Sequence, residues 1–372
     1  MSAGIETSGR SFLAGLITLS AVLVLSLTIG VSAAPAKRAS VPSGFFGMVN
    51  QEASSPADIS QMERGGVEFL RLPVPWDQIQ TTKTGDYNWS YTDSQVRNAA
   101  EGGLKVLPFI YASPSWLTSK YTKLPIANSN QITAWKTFLK AAVNRYGPGG
   151  DFWTTEDGNT PPTVTTPIRV WQIWNEVNFH YFAEPVSPTN YAKLLRISKS
   201  ALKSEDPSAK IMLSGLYGSP KGSAKRAMSA DKFLARLYAA GAAPNFDSVA
   251  LHPYSPTTSQ LRLLVKGFRN VMMRNGGRST PMNITELGWG SDSATAFGKG
   301  SPSGQAKQLK SGYSYLIDNR RSLNLRSVYW FSWRDMPKSM VTCNFCYQSG
   351  LFKAGSGFKA KPAWNAFRAF SR

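Results

Sequence analysis

Two short stretches hold the residues of this 372-residue chain whose types and spacing suit chemistry. The first, Trp171-Gln172-Ile173-Trp174-Asn175-Glu176-Val177-Asn178, begins as an apolar run and passes straight into an amide, a carboxylate and a second amide. The second, Asn283-Ile284-Thr285-Glu286-Leu287-Gly288-Trp289, sets another carboxylate behind another apolar run. A carboxylate at the end of a buried strand is costly unless a partner or water reaches it. Each glutamate is therefore either a paired structural ion or a working acid. Two carboxylates with different neighbours can divide the cleavage of a glycosidic bond, one as proton donor and the other as nucleophile.

For the two to meet, the intervening elements must bring positions 176 and 286 together. Apolar runs predict strands over 44–50, 67–76, 105–111, 169–174, 210–215, 248–252, 282–286 and 326–333. Helical spacing predicts helices over 93–103, 131–146, 189–204, 231–240, 259–275, 305–319 and 362–370. Eight near-continuous apolar strands alternating with helices describe an α/β fold, a single-domain (β/α)8 TIM barrel over residues 37–372. A doubly wound open sheet ranks second, because no Gly-rich phosphate turn follows a strand. In a barrel the functional groups lie at the carboxyl ends of the strands. Those ends read Arg71, Tyr111 to Trp116, Asn175-Glu176, Tyr217, His252 with Tyr254, Glu286, and Trp330 with Trp333. The fourth and seventh strands lie across the mouth from each other, so Glu176 and Glu286 can share a cleft.

At this point the chain resembles a known group. Trp174-Asn175-Glu176 and Thr285-Glu286-Leu287-Gly288 are similar to the two signature motifs of clan A retaining glycoside hydrolases. Ala112-Ser113-Pro114-Ser115-Trp116, Leu251-His252-Pro253-Tyr254, Gly350-Leu351-Phe352 and Lys361-Pro362-Ala363 add to the likeness. It is most similar to glycoside hydrolase family 39 and its bacterial exopolysaccharide-cleaving endoglycosidase branch, over residues 43–372. The resemblance implies Glu176 as general acid/base, Glu286 as nucleophile, and Asn175 as hydrogen-bonding the 2-hydroxyl of the bound sugar. It implies Arg71 beside Glu286, His252 and Tyr254 lining the same subsite, Trp330 as its stacking floor, and Trp116 and Trp333 as neighbouring platforms. It implies no metal or organic cofactor. Val177 departs from the proline that many relatives carry after the acid.

Composition frames this reading. Residues 12–31 form an apolar run after Arg10, and Val31-Ser32-Ala33 reads as a small-residue cleavage site. Residues 1–36 are thus expected to be a secretory signal peptide, with an uncleaved anchor as the alternative. Either way the body is exported, to the cell surface or the medium. In an oxidising compartment Cys343 and Cys346, spaced C-x-x-C, read as a short-loop disulfide. A redox motif or half a zinc site is the alternative, although His180 and His252 are the only histidines. The net charge of +20 suits either an acidic polysaccharide partner or a merely soluble surface. Scattered Lys and Arg without a basic helix disfavour nucleic acid. The expected protein is a monomeric, exported glycosidase acting on a polysaccharide or oligosaccharide. A non-catalytic polysaccharide-binding barrel and a transglycosylase using the same residues are the rivals.

Overall fold

The protein is described from a computed structural model, in which the described residues are 41–154, 160–292, 297, 300–341, 343, 345–355 and 357–372. The leader expected over 1–36 lies outside them.

Eight strands close into one parallel barrel in sequence order: β1 (Phe46–Val49), β2 (Phe69–Pro75), β3 (Lys105–Tyr111), β4 (Val170–Ile173), β5 (Lys210–Tyr217), β6 (Ser248–His252), β7 (Met282–Leu287) and β8 (Leu325–Phe331). Strand β1 closes the ring by pairing with β8 at Phe46↔Val328 and Val49↔Phe331. The expected barrel and all eight strands are therefore present. The expected helices are present as α3 (Ser90–Glu101), α4 (Ser129–Tyr146), α5 (Pro188–Glu205), α6 (Ala230–Ala239), α7 (Thr258–Arg274), α8 (Pro302–Asp318) and α10 (Pro362–Ser371). Among the described residues no helix is long and apolar enough to cross a membrane.

One principal helix escaped the periodicity. Helix α1 (Pro56–Arg64) connects β1 to β2 and is only nine residues long, with Ile59 and Met62 as its buried apolar positions. Its signal is the cap rather than the period. Ser55 accepts from Asp58 N–H, the Asp58 carboxylate accepts from Ser55 N–H, and Pro56 opens the first turn. Two further short turns, α2 (Trp76–Ile79) and α9 (Arg320–Leu323), complete the α-helices among the described residues.

Alternation along the strands builds two cores. Phe69, Val170 and Phe331 pack with Val49, Leu107, Met212, Ala250 and Tyr329 as the filling of the barrel. The opposite strand faces meet the helices in a much larger outer layer that includes Leu70, Ile173, Leu213, Ile284 and Trp330. Two irregularities break the alternation where function would need it. Between Met212 and Gly215 the β5 register slips against β6, and between Ile284 and Leu287 the β7 register slips against β8. In β7 three steps oppose two, so Thr285 and Glu286 leave the simple in-and-out order, as a bulge allows.

The segment after β8 is anchored back onto α1. Asp58 accepts from Trp333 Nε1 at 2.8 Å and from Arg334 Nε and Nη2 at 3.0 and 2.5 Å, all in buried surroundings. Burial works to raise the Asp58 carboxyl, but hydrogen bonds from Ser55, and then from Trp333 and Arg334, hold it below its ordinary range. Replacing Asp58 with alanine leaves a buried guanidinium without its partner, so unfolding experiments should show a loss of about 3 kcal/mol or more. A change below about 0.5 kcal/mol would mean that this ion pair does not hold the two segments together.

Candidate active site

The site is built on the carboxyl ends of the strands, as a barrel requires. Arg71 points inward from β2 and is 1% exposed. Its Nη1 donates to Glu286 Oε1 at 2.5 Å, its Nη2 to Asn175 Oδ1 at 2.8 Å, and its Nε to Gln172 Oε1 at 2.8 Å. The guanidinium plane lies 4.0 Å from the centre of the Phe109 ring, an aromatic face that suits a desolvated cation. Accepting from Arg71 fixes the Asn175 amide and leaves its NH2 edge to a ligand.

The two glutamates end β4 and β7 and are each 8% exposed. A carboxylate oxygen of Glu176, one of Glu286 and a ring nitrogen of His252 all lie within 4.8 Å of one another. Their surroundings differ sharply. Both Glu286 oxygens are engaged, Oε1 by Arg71 and Oε2 by Tyr254 Oη at 2.7 Å. Glu176 is joined to neutral groups instead, with Oε1 2.8 Å from His252 Nδ1. Burial, and then the negative charge of Glu286, hold the Glu176 carboxyl well above its ordinary range. Burial and the nearby Arg71 push His252 the other way, well below the usual imidazole range, so the ring is neutral. Burial and the Glu286 charge also keep the Tyr254 phenol protonated, which makes it a donor. The cleft thus holds one carboxyl poised to carry a proton and one carboxylate anchored by a cation. A metal ion on Glu176, His252 and Glu286 would sit beside the Arg71 guanidinium and compete for oxygens already engaged, so the trio fits hydrogen bonding better than cation binding.

Glu176 depends on a left-handed turn. Trp174 has φ +68° and Glu176 φ +38°, and the loop is held by Glu176 N–H on Gly215 O at 3.2 Å and Val177 N–H on Ser214 Oγ at 3.2 Å. Trp174 Nε1 donates to Phe182 O at 2.7 Å, and the Asn178 amide joins this loop to the one after β5 through Tyr217 and Met228. At Gly215 an added Cβ would stand 1.9 Å from His252 Nε2, so only glycine lets the imidazole lie there.

Of the residues singled out in the sequence, Arg71, Asn175, Glu176, His252, Tyr254 and Glu286 converge. Trp330 and Trp333 do not, and their expected stacking roles are corrected. In β8 it is Tyr329 and Phe331 that turn into the barrel, so Trp330 points outward at 0% exposure. It packs on Trp289 and Tyr313 and donates to Ser349 O at 3.2 Å. Trp333 is likewise 0% exposed, packed on Phe352 and Trp364 and bound to Asp58. Neither indole has a free face for a sugar. Trp116 is half-buried beyond β3, with its N–H on Gln80 O at 2.9 Å and its edge on Trp76. Cys343 and Cys346 are joined as a disulfide.

The aromatic wall comes from residues the sequence reading passed over. Phe331 is half-buried with its ring 6.1 Å from Tyr254, and Phe345 lies 4.9 Å from Tyr254 and 6.0 Å from Phe331. Phe297 joins them at 5.9 Å from Tyr254. Counting alternate positions in β8 would have found Phe331, whereas Phe297 and Phe345 lie in loops without periodicity. Gln172 and Thr285, inside the two motifs, also reach the site (0% exposed).

Comparison with known proteins follows from this geometry. The barrel has the fold of solved glycoside hydrolases. It is similar to a family 39 glycoside hydrolase from Bacteroides cellulosilyticus WH2, with 17% identity over 88% of this chain and 63% of that one, and a TM-score of 0.61. It is similar to a monomeric beta-xylosidase from Caulobacter crescentus CB15, with 19% identity, 89% and 69% coverage and a TM-score of 0.61. It is also similar to xylanase 10B from Thermotoga maritima, with 15% identity, 88% and 94% coverage and a TM-score of 0.60. The chain therefore spans less than two thirds of the length of the Bacteroides protein. No family model matches the sequence, and no curated protein matches it.

The electrostatic coupling of the glutamates can be read directly. In a carbon-13 titration of the side-chain carboxyls, Glu286→Gln should lower the midpoint of Glu176 by about one pH unit or more, because a like charge is removed and Arg71 is freed. An unchanged midpoint would show that the two carboxyls do not sense each other.

Proposed function

We propose that this protein is a retaining glycoside hydrolase working by double displacement on Glu286 and Glu176. The closeness of one oxygen on each carboxyl group carries the reading. Oxygens within 4.8 Å fit the roughly 5–5.5 Å spacing at which one carboxylate attacks the anomeric carbon itself. Inverting sites need about 6.5–9.5 Å, to leave room for a water.

In the first step a Glu286 oxygen bonds to the anomeric carbon as its bond to the glycosidic oxygen breaks. Glu176 gives its proton to that departing oxygen. In the second, Glu176, now a carboxylate, takes a proton from water while the water oxygen bonds to the same carbon and Glu286 leaves. Arg71 and Tyr254 hold the attacking carboxylate in place and receive its charge back on release. The covalent bond consumes the Glu286 charge, which removes one of the two causes that keep Glu176 protonated. The acid of the first step thereby becomes the base of the second. The Asn175 amide edge is placed for a sugar hydroxyl, and Phe331, Phe345 and Tyr254 offer an apolar wall.

The apolar run at 12–31 supports an exported enzyme, and the +20 charge supports an extracellular or wall-associated polysaccharide with acidic character as substrate. The family 39 protein and the xylanase that share the fold support a glycan substrate.

Glu286→Gln should lower turnover about 10³-fold or more on every substrate. Glu176→Gln should keep roughly a tenth or more of kcat/KM on glycosides with good leaving groups, such as dinitrophenolate, which depart without a proton, while kcat falls because the second step has lost its base. Near-normal hydrolysis by both variants would overturn the assignment. For the wild type, kcat/KM should decline on the alkaline side only as pH rises through the elevated pKa of Glu176, above the ordinary carboxyl range.

A further inference from the structure

Beneath the two carboxyls runs a line of hydrogen bonds that the reaction as described leaves without a task. It starts at the guanidinium. Arg71 Nε can only donate, and it donates to Gln172 Oε1 at 2.8 Å. The Gln172 amide is thereby oriented, with Nε2 as its donor end. That nitrogen reaches Leu213 O at 3.0 Å and Thr285 Oγ1 at 3.3 Å. The Thr285 hydroxyl, at 0% exposure, therefore receives a proton from below. Its other neighbour is His252 Nε2 at 2.9 Å. Among the described residues no other acceptor lies against the Thr285 hydroxyl, so a hydroxyl hydrogen that is to be used goes to the ring nitrogen, which places the lone pair on Nε2. A neutral imidazole with its lone pair on Nε2 has its proton on Nδ1, and Nδ1 lies 2.8 Å from Glu176 Oε1.

We infer that Thr285, oriented by Gln172, is a positioning residue that holds His252 as its Nδ1–H tautomer, so that Glu176 Oε1 is kept as an acceptor and the catalytic proton resides on Oε2. The inference rests on the glycosidase reading for its consequence, but not for the tautomer itself. The consequence is direct. The opposite tautomer would turn an Nδ1 lone pair toward Glu176, which would then hold its proton in an O–H···N bond to the ring instead of offering it to a departing oxygen. Other groups around the ring agree with the assignment. Glu286 Oε2, an acceptor of the Tyr254 hydroxyl, is 3.6 Å from the same Nδ1, and an acceptor oxygen on that side of the ring favours a proton there. Gly215 lies flat against the imidazole, where any Cβ would displace it. Burial, and then the positive charge of Arg71, keep the ring from taking a second proton.

The test is nitrogen-15 NMR on histidine-labelled wild-type protein at neutral pH. The chain has two histidines, and His180→Gln assigns the signals. His252 should show a protonated Nδ1 and a lone-pair-bearing Nε2, and this outcome does not depend on turnover. An Nε2–H tautomer would overturn the proposal while leaving the glycosidase reading intact. Kinetics give the second arm, with an alkyl glycoside and the 2,4-dinitrophenyl glycoside of one sugar. Thr285→Val should lower kcat/KM about 10-fold or more on the alkyl substrate and under about 3-fold on the dinitrophenyl one, with Thr285→Ser close to wild type on both. Equal losses on the two substrates would mark Thr285 as merely structural and sink the relay. Should the valine variant not fold, the wild-type tautomer and the serine variant still decide the question.

Discussion

A buried guanidinium is the constraint around which this barrel mouth is arranged. Arg71 is 1% exposed and so shut off from bulk solvent, and an unpartnered cation there would cost several kcal/mol. Each face of its fork is therefore answered, by the nucleophile candidate, by the amide before the acid candidate, and by an amide deeper in β4. One side chain from β2 thus anchors the Glu286 carboxyl group, the orientation of Asn175 and the polarity of Gln172. The Phe109 ring beneath it closes the remaining side. Losing the arginine would disturb three strands at once.

The same cation explains why two glutamates so close together behave differently. Glu286 is paired with Arg71 and Tyr254, while Glu176 meets a neutral imidazole in a dry pocket beside a like charge. Nothing in the side chains themselves distinguishes them; the division of labour is written entirely in their neighbours. The backbone cooperates at both ends. A bulge in β7 brings Thr285 and Glu286 into the site together, and left-handed conformations at Trp174 and Glu176 swing the acid off the end of β4.

Much of this could be read from the amino-acid order. Long apolar runs bounded by polar turns are a strong signal, and they located every strand. Barrel topology then puts strand ends on one rim, which is enough to gather Arg71, Asn175, Glu176, His252, Tyr254 and Glu286. What could not be read from the runs was parity. Trp330 and Trp333 were expected in the cleft; alternate residues of β8 face opposite sides, which turns Phe331 inward and Trp330 outward, whereas Trp333 lies past the end of the strand and packs on Phe352 and Trp364. Helix α1 was overlooked because nine residues with two buried apolar positions carry little period, although Ser55 and Asp58 mark its start. The rim aromatics Phe297 and Phe345 come from irregular loops, where sequence spacing says nothing about which side chains meet.

Double displacement requires Glu286 to attack the sugar directly, with Glu176 as the proton carrier. Proton NMR of the first product released from a glycoside of defined anomeric configuration tests it without reference to any variant. A double displacement predicts that the product first appears with the configuration of the substrate and only later mutarotates. A first product of inverted configuration would mean that water, not Glu286, attacks the anomeric carbon, and would contradict the account.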